Sequence, residues 1–401
     1  MTLSIRSPTR PLRVCIVSHF AYPAFAGKGA AYIGGVERQT SMLARWLASR
    51  GHQISLVTWD EGQPESLENH GVRLVKLCSQ TAGMPGLRFF HPRWTSLNAA
   101  LRKADADIYY HNCGEYVTGQ IALWCRRRQR KFVYSAAALG DCDIRLPLLR
   151  TVRERVLYRL GIRWADQIIV QTKTQLDMLR QGFNRDGLVI PMPVSSPTRQ
   201  HSAPRTLVPV NERKVLWVGR ISEEKRPDRL LDVAERCPDL EFDLVGPSAG
   251  SEYAQRVLAR AQKLANVTAH GGVTQEQLSI FYQRASCLCS TSDHEGFPNV
   301  FLEAWSYGLP IVATLDPDHV IVDNELGLVA TDIVGLEFAL RQLFLSQQGW
   351  QLASQNAQNY YVKNHCFEQV MPRFEQVFLS LLQESAKRSG IDHVSGEQAL
   401  S

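Results

Sequence analysis

The sequence predicts an α/β fold made of two Rossmann-like βαβ domains. Short apolar runs alternate with segments of helical period along the chain, the pattern of a parallel sheet covered on both faces. The pattern breaks in a Pro- and Ser-rich stretch, residues 192–209, and then restarts. A chain of 401 residues is also longer than one typical domain. Sheets of this kind bind ligands at the carboxyl ends of their strands, so a cleft between the two domains is the expected active site.

The elements follow in order. Residues 13–18 read as a first buried strand, followed by a Gly/Ala-rich loop to Gly35. A helix is predicted over 36–50 from the spacing of Val36, Leu43 and Leu47, with Gly51 as its stop. Residues 53–58, 72–77, 107–111, 131–135, 167–171 and 188–191 read as strands, and 149–164 as a charged amphipathic helix. The first domain is therefore 1–195 and the linker 196–209. In the second domain, 210–366, residues 215–219 form a strand, 229–237 a helix, and Leu240, Phe242 and Leu244 alternate in a further strand. Thr274 and Gln277 form a capping box for a helix reaching Ala285. Residues 287–290 and 311–314 are strands, and Leu336, Leu340, Leu343 and Phe344 mark a helix. A last helix is predicted from Val370, Phe374, Val377 and Leu381, with Pro372 in its first turn, and 386–401 reads as a polar, flexible tail.

Composition bounds the function. The chain is 44% hydrophobic and 21% charged, which fits a soluble globular protein. No apolar run approaches the roughly 18 residues of a membrane span, and residues 1–12 lack the apolar core of a secretory signal. The nine cysteines are scattered without metal-like clustering, as expected of reduced thiols in a cytoplasm. The net charge of +6 is uneven: residues 1–195 carry 27 Lys and Arg against 14 Asp and Glu, the rest 18 against 25. A basic first half suggests an anionic partner there. Neither half carries a nucleic-acid-binding motif, which leaves an anionic membrane surface or an anionic glycan. Arg126-Arg127-Arg128-Gln129-Arg130-Lys131, the arginines of 145–163 and the ring-rich stretch 84–94 are the candidate membrane-facing segments, with Phe89, Phe90 and Trp94 either interfacial or folded into the core.

The richest stretch is 294–310. Glu295 and Glu303 have seven residues between them. Asn299 is a good helix N-cap, and Gly308 with Pro310 a strong stop, so Glu303 is expected on a short helix and Glu295 in the loop leading to it. A helix start exposes N–H groups and favours phosphate. Glu295 can then take sugar hydroxyls and Glu303 another diol. Gly34 and Gly35 open the first long helix and allow close backbone approach. Gly219-Arg220 and Lys225 follow the first strand of the second domain, where guanidinium and ammonium can converge on one diphosphate. The pairs Asp105/Asp107, Asp141/Asp143 and Asp316/Asp318 each read Asp-x-Asp, a pattern that can hold a divalent metal, but three copies show how common it is. His19 and His111 end strands and are either proton handlers or structural.

Glu-Gly-Phe-Pro-Asn with Glu-Ala eight residues past its first Glu resembles the signature of the retaining glycosyltransferases of family 4. The resemblance extends over nearly the whole chain and implies the GT-B architecture, with the segment 367–385 crossing back to the first domain. It implies a nucleotide-sugar donor, a glycan or lipid-linked acceptor, transfer with retention, and no metal or other cofactor. It assigns the leaving diphosphate to Arg220 and Lys225, sugar hydroxyls to Glu295, and the ribose diol to Glu303. Gly34, Gly35, Gly219, Val273, Gly296, Phe297, Pro298, Asn299 and Val300 complete the donor set, largely through backbone groups. Two departures stand out. Many members carry a histidine where this chain has Ser135-Ala136-Ala137-Ala138, and Asp141 or Asp143 is the possible substitute, with His111 a further acceptor-side candidate. Ile190-Pro191-Met192-Pro193 also replaces the family's Pro-Asn-Gly. The missing histidine keeps a non-catalytic nucleotide-sugar binder open as an alternative, beside a nucleotide-sugar epimerase on the same architecture.

Overall fold

The computed structural model describes residues 11–27, 35–64, 68–194, 205–248 and 250–397, with side chains as far as Glu384. Gly34 and residues 195–204 of the linker region lie outside the described residues. Two compact units emerge. One holds the chain up to Ile190 together with the segment from Met371 onward, and the other runs from Pro191 to Val370.

The first unit is built on eight strands: β1 Arg13–Val17, β2 Gln53–Thr58, β3 Glu68–Asn69, β4 Val72–Lys76, β5 Ile108–Asn112, β6 Lys131–Ser135, β7 Gln167–Val170 and β8 Leu188–Val189. Their order is β3-β4-β2-β1-β5-β6-β7-β8, and among the described residues only the β3–β4 pair is antiparallel. β1 reads as an apolar run because both of its faces are covered: Val14, Cys15, Ile16 and Val17 are fully buried. The predicted helix over 149–164 begins later, at Val152, because Thr151 and Glu154 form a reciprocal capping box that fixes the start. That helix crosses Val117–Arg128 at two glycines. A Cβ on Gly119 would strike the Leu157 carbonyl, and one on Gly161 would meet the backbone of Thr118 and Gly119. Phe89 is buried and packs edge-on against Phe90 and Trp94, while Phe90 is exposed and Trp94 half-buried, so the ring-rich stretch divides between core and surface.

Among the described residues the second unit has six parallel strands: β9 Lys214–Val218, β10 Glu241–Val245, β11 Val267–Gly271, β12 Cys287–Ser290, β13 Ile311–Ala313 and β14 Gly327–Val329, ordered β11-β10-β9-β12-β13-β14. The helix Gln347–Asn364 follows Ile333–Leu343 and was not legible in the sequence, since its buried face mixes Trp350, Ala353, Ser354, Ala357 and Tyr361. At the described end of the linker, Arg205 is threaded into this unit and donates to the carbonyls of Tyr282, Gln283, Ala285 and Tyr307 at 2.6–3.2 Å.

The last helix spans Phe367–Glu397. Pro372 therefore lies inside it rather than in its first turn. The helical bonding starts at Cys366, whose carbonyl takes both the Gln369 and Val370 N–H, six residues ahead of the proline. Within the first unit, Glu375 of this helix bonds the buried His52 at 2.8 Å, and Phe374 and Phe378 meet Tyr110 edge-on.

Candidate active site

The second sheet reverses its strand order at β9, which is flanked by β10 on one side and β12 on the other. The carboxyl ends of β9 and β12 therefore form a topological switch point, where open α/β sheets take ligands. Two loops meet there. One leaves β9 at Gly219 and carries Arg220, Glu224 and Lys225 into the helix Pro227–Arg236. The other leaves β12 and carries Ser292, Asp293 and Glu295 into the helix Asn299–Ser306. Hydrogen bonds staple them: Trp217 Nε1 donates to Thr291 Oγ1 at 3.0 Å, Thr291 Oγ1 donates to the Lys225 carbonyl at 2.9 Å, and Asp293 N donates to the Glu224 carbonyl at 3.1 Å. Close beside them Gly246 has φ 152°, and a Cβ there would strike the Gly219 carbonyl oxygen, so the turns after β9 and β10 can approach only with glycine.

The staple brings Lys225 against Glu295. The ammonium contacts the carboxylate directly, and Ser292 Oγ donates to the same Oε1 at 3.1 Å. Both side chains are about one-fifth exposed, at 23% and 17%, so the pair at the switch point is within reach of a ligand. Arg220 is at the surface and pairs with Glu224 at 2.6 Å. The two predicted phosphate cations thus face different carboxylates. Behind them Arg226 and Arg229 close on Asp293 at 3.3 and 2.7 Å, and Arg226 also grips Asp228. Hydrogen bonding to Asp228 holds the Arg226 pKa above its ordinary value.

Glu303 is 7% exposed and receives the Tyr282 hydroxyl at 2.8 Å, with Tyr282 stacked on Tyr307. Asn299 is not the N-cap. It is the first helical residue, and Pro298 caps with φ −67° and ψ 119°, because the proline ring fixes an extended entry one residue earlier. Asn299 Oδ1 is left buried without a hydrogen-bond partner. Phe297 packs against Trp305 and His365, and Val300 packs beside it on the core around this helix. Gly296 lies half-buried between Glu295 and Phe297. Val273 follows the Gly271 turn at φ 69° and packs on the same core. Gly35 opens the helix Gly35–Ser49 in the first unit.

Sequence reasoning missed Tyr282, Ser292 and His365 in this site. The Ser290–Ser292 run just past a strand was the available signal for Ser292. His365 carried none, since it arrives from the far end of the Gln347–Asn364 helix, where its Nδ1 faces the Met192 carbonyl at 2.9 Å. Burial pushes His365 down to about 4.

The first sheet reverses at β1, between β2 and β5, and a pocket of about 580 Å³ opens at the same topological position. His19 past β1, Trp59 past β2, Cys113 to Tyr116 past β5, and Ala137, Ala138 and Asp141 past β6 line it, with Arg93 and Arg150 at its side. His19 stacks on Trp59 with centroids 4.4 Å apart. Asp141 is buried and accepts the Ala137 and Ala138 N–H at 2.7 and 3.1 Å, so its carboxylate lies against the segment where the histidine was expected. Burial pushes it up to about 6. Gly114 lies so close that a Cβ would collide with its carboxylate. Asp143 turns instead to Arg145 at 2.7 Å. His111 sits deeper, within β5, its Nδ1 toward the Val17 carbonyl at 2.9 Å, and burial lowers its pKa. Of the other Asp-x-Asp pairs, Asp105 and Asp107 engage Arg13 and Arg130, and Asp316 accepts the N–H of Ile321 and Val322.

Two family models match this chain: glycosyl transferases group 1 over residues 199–333, and glycosyltransferase family 4 over residues 33–196. A D-inositol 3-phosphate glycosyltransferase of Mycobacteroides abscessus is 32% identical over 348 residues, covering 76% of this chain and 74% of that protein. Among solved structures, the sucrose-phosphate synthase of Thermosynechococcus elongatus aligns over 92% of this chain and 99% of its own, with TM-score 0.75 and 20% identity. HepE of Anabaena, crystallised with UDP and glucose, aligns over 92% of this chain and all of its own length, with TM-score 0.71 and 18% identity.

Proposed function

Because this chain belongs to the group 1 glycosyltransferases of family 4, with their GT-B fold, we propose that it moves a sugar from a nucleotide-sugar to a hydroxyl of a glycan or lipid-linked acceptor, with retention at the anomeric carbon. The Lys225–Glu295 pair at the switch point of the second sheet carries this reading. The bond from the anomeric carbon to the diphosphate oxygen breaks through an oxocarbenium-like transition state, as in glycoside hydrolysis. Negative charge grows on the leaving diphosphate, and Lys225, Arg220 and the first N–H groups of the Asn299–Ser306 helix stabilise it. As the phosphate draws Lys225, Glu295 is released to hold sugar hydroxyls. The acceptor oxygen bonds the anomeric carbon on the face the diphosphate leaves, and its proton passes to a leaving-phosphate oxygen. Glu303, held by Tyr282, takes the ribose diol. The cations already present neutralise the diphosphate, so this half of the reaction needs no metal.

The acceptor hydroxyl is assigned to the pocket of the first unit, where Asp141 stands in for the histidine. Arg93 and Arg150 on its wall suit an acceptor carrying an anionic group, and the mycobacterial relative's name couples glycosyl transfer with a phosphorylated inositol. We place the enzyme in the cytoplasm, working at an anionic membrane surface when its acceptor is lipid-linked.

Mass spectrometry of products from a panel of nucleotide-sugars, with neutral and phosphorylated polyol acceptors, tests the reading. A product heavier than the acceptor by one sugar residue, with release of nucleoside diphosphate, is expected. Tight donor binding with neither hydrolysis nor transfer would mark a binder, and a changed donor sugar without acceptor an epimerase.

A further inference from the structure

Three side chains of ligand type face one another at the floor of the first unit's pocket. His111 lies in β5, and Cys113 and Glu115 follow it at alternate positions. One ligand atom from each lies within 4.8 Å of the other two. His111 is 1% exposed. Its Nδ1 faces the Val17 carbonyl at 2.9 Å, which makes Nδ1 the N–H side of the ring. Nε2 therefore carries the lone pair, and it is buried without a hydrogen-bond partner. A buried nitrogen left unpaired is costly and calls for a physical reason. An imidazole whose far N–H is fixed on a backbone carbonyl is also the arrangement that metal-binding histidines adopt. Cys113 and Glu115 border the open volume, so an ion reaches them from the pocket. His19 Nδ1 stands 3.4 Å from Glu115 Oε2.

We propose that His111 Nε2, Cys113 Sγ and Glu115 bind one thiophilic divalent cation of the zinc class, with a fourth coordination position open to the pocket. One nitrogen, one sulfur and one carboxylate oxygen suit zinc and disfavour magnesium and calcium, which take oxygen ligands. Metal–ligand bonds of about 2.0–2.3 Å place tetrahedral ligands roughly 3.3–3.7 Å apart. The observed spacing, within 4.8 Å, exceeds that by about 1.5 Å at most. On binding, the Cys113 thiol releases its proton to solvent and its sulfur takes the ion. The site is separate from Lys225 and Glu295 and does not depend on the transfer reading.

Two measurements on the metal-stripped full chain test this. Co²⁺ titration followed by absorption is expected to reach one equivalent with a thiolate-to-cobalt charge-transfer band, displaced by Zn²⁺. The band is expected to vanish in Cys113→Ser and the affinity to fall about tenfold or more in His111→Gln. Because both variants sit in a buried region, the second measurement uses the unmutated chain. Zn²⁺ alone is expected to protect Cys113 from alkylation while leaving the equally half-buried Cys78 reactive, read cysteine by cysteine by peptide mass spectrometry. Equal reaction of Cys113 with and without Zn²⁺, or a thiolate band that survives Cys113→Ser in a folded chain, would overturn the assignment.

Discussion

The two units offer a site at the same place in their sheets, the switch point beside the first strand where the order reverses, and they furnish it in opposite ways. In the second unit the charges there are matched by opposite charges: Lys225 by Glu295, Arg220 by Glu224, and Arg226 and Arg229 by Asp293. In the first, polar groups are held by burial and backbone. Asp141 rests on two N–H groups and His111 keeps a bare nitrogen. A site of exchangeable ion pairs suits a ligand that brings its own charge, since the pairs re-form around it at little desolvation cost. A site of buried polar groups is tuned instead through its pKa values.

The largest test of that contrast is Lys225→Ala. Turnover at saturating donor is expected to fall by about 10²-fold or more, as when one donor to a transition-state anion is lost, with a smaller change in donor affinity. Wild-type turnover in that variant would remove the ion pair from the chemistry. Glu303→Ala comes next. Losing a charge-assisted acceptor is expected to weaken nucleoside diphosphate binding by about 1.5–3 kcal/mol, or roughly 10- to 150-fold. Calorimetry with the diphosphate alone reads it, and an unchanged affinity would leave Glu303 a purely structural partner of Tyr282.

A third test sets the units against each other by pH. Asp141 is pushed up to about 6, so the folded first unit keeps a proton that the unfolded chain releases near its ordinary value. Its contribution to stability therefore falls as pH rises from about 4 to about 6. His365 is pushed down to about 4, so the folded second unit refuses a proton that the unfolded chain accepts near 6.5. Its contribution falls as pH drops from about 6.5 to about 4. Hydrogen exchange resolved to each unit should show opposite slopes, each of at most about 1.4 kcal/mol per pH unit. Asp141→Asn is expected to flatten the first and His365→Asn the second, and parallel slopes would reject the pairing of sign with unit.

The smallest expected effect concerns the basic surface. Arg130, Lys131 and Arg145 are already paired with carboxylates, and Arg153 lies over the Phe89 ring at 3.7 Å. Arg127 and Arg128 stand exposed beside a groove lined by Phe90, Trp94 and Trp124. Binding to anionic vesicles that high salt reverses, weakened by about 1 kcal/mol for each of these two arginines removed, is expected from cosedimentation. Equal binding to neutral vesicles would point to the exposed rings instead.

The same contrast explains what was legible in the sequence. The second site lies largely in one contiguous stretch, where Glu295, the proline, the helix and Glu303 follow one another and local rules apply. Even there the cap was misread by one residue, because the ring of Pro298 fixes the entry before Asn299 can. The pocket of the first unit takes His19, Trp59, Cys113 and Asp141 from the ends of four strands far apart in the chain, and no spacing links them. The alternating strands and helices were readable throughout because period and apolar runs are local. The helix Gln347–Asn364 was not, since its buried face is half polar and its partner is the short helix carrying Glu303.

Arg205 bears on how the second unit is to be produced by itself. Its guanidinium gathers four carbonyl oxygens at the ends of two helices and leans on Trp350. A truncation begun at residue 210, where the helix-and-strand pattern resumes, would strip those carbonyls of their donor and expose a seam in the fold. Expression should start upstream of 205. For the same reason trypsin, which must take an arginine side chain into its own specificity pocket, should pass over the bond after Arg205 for as long as this unit stays folded.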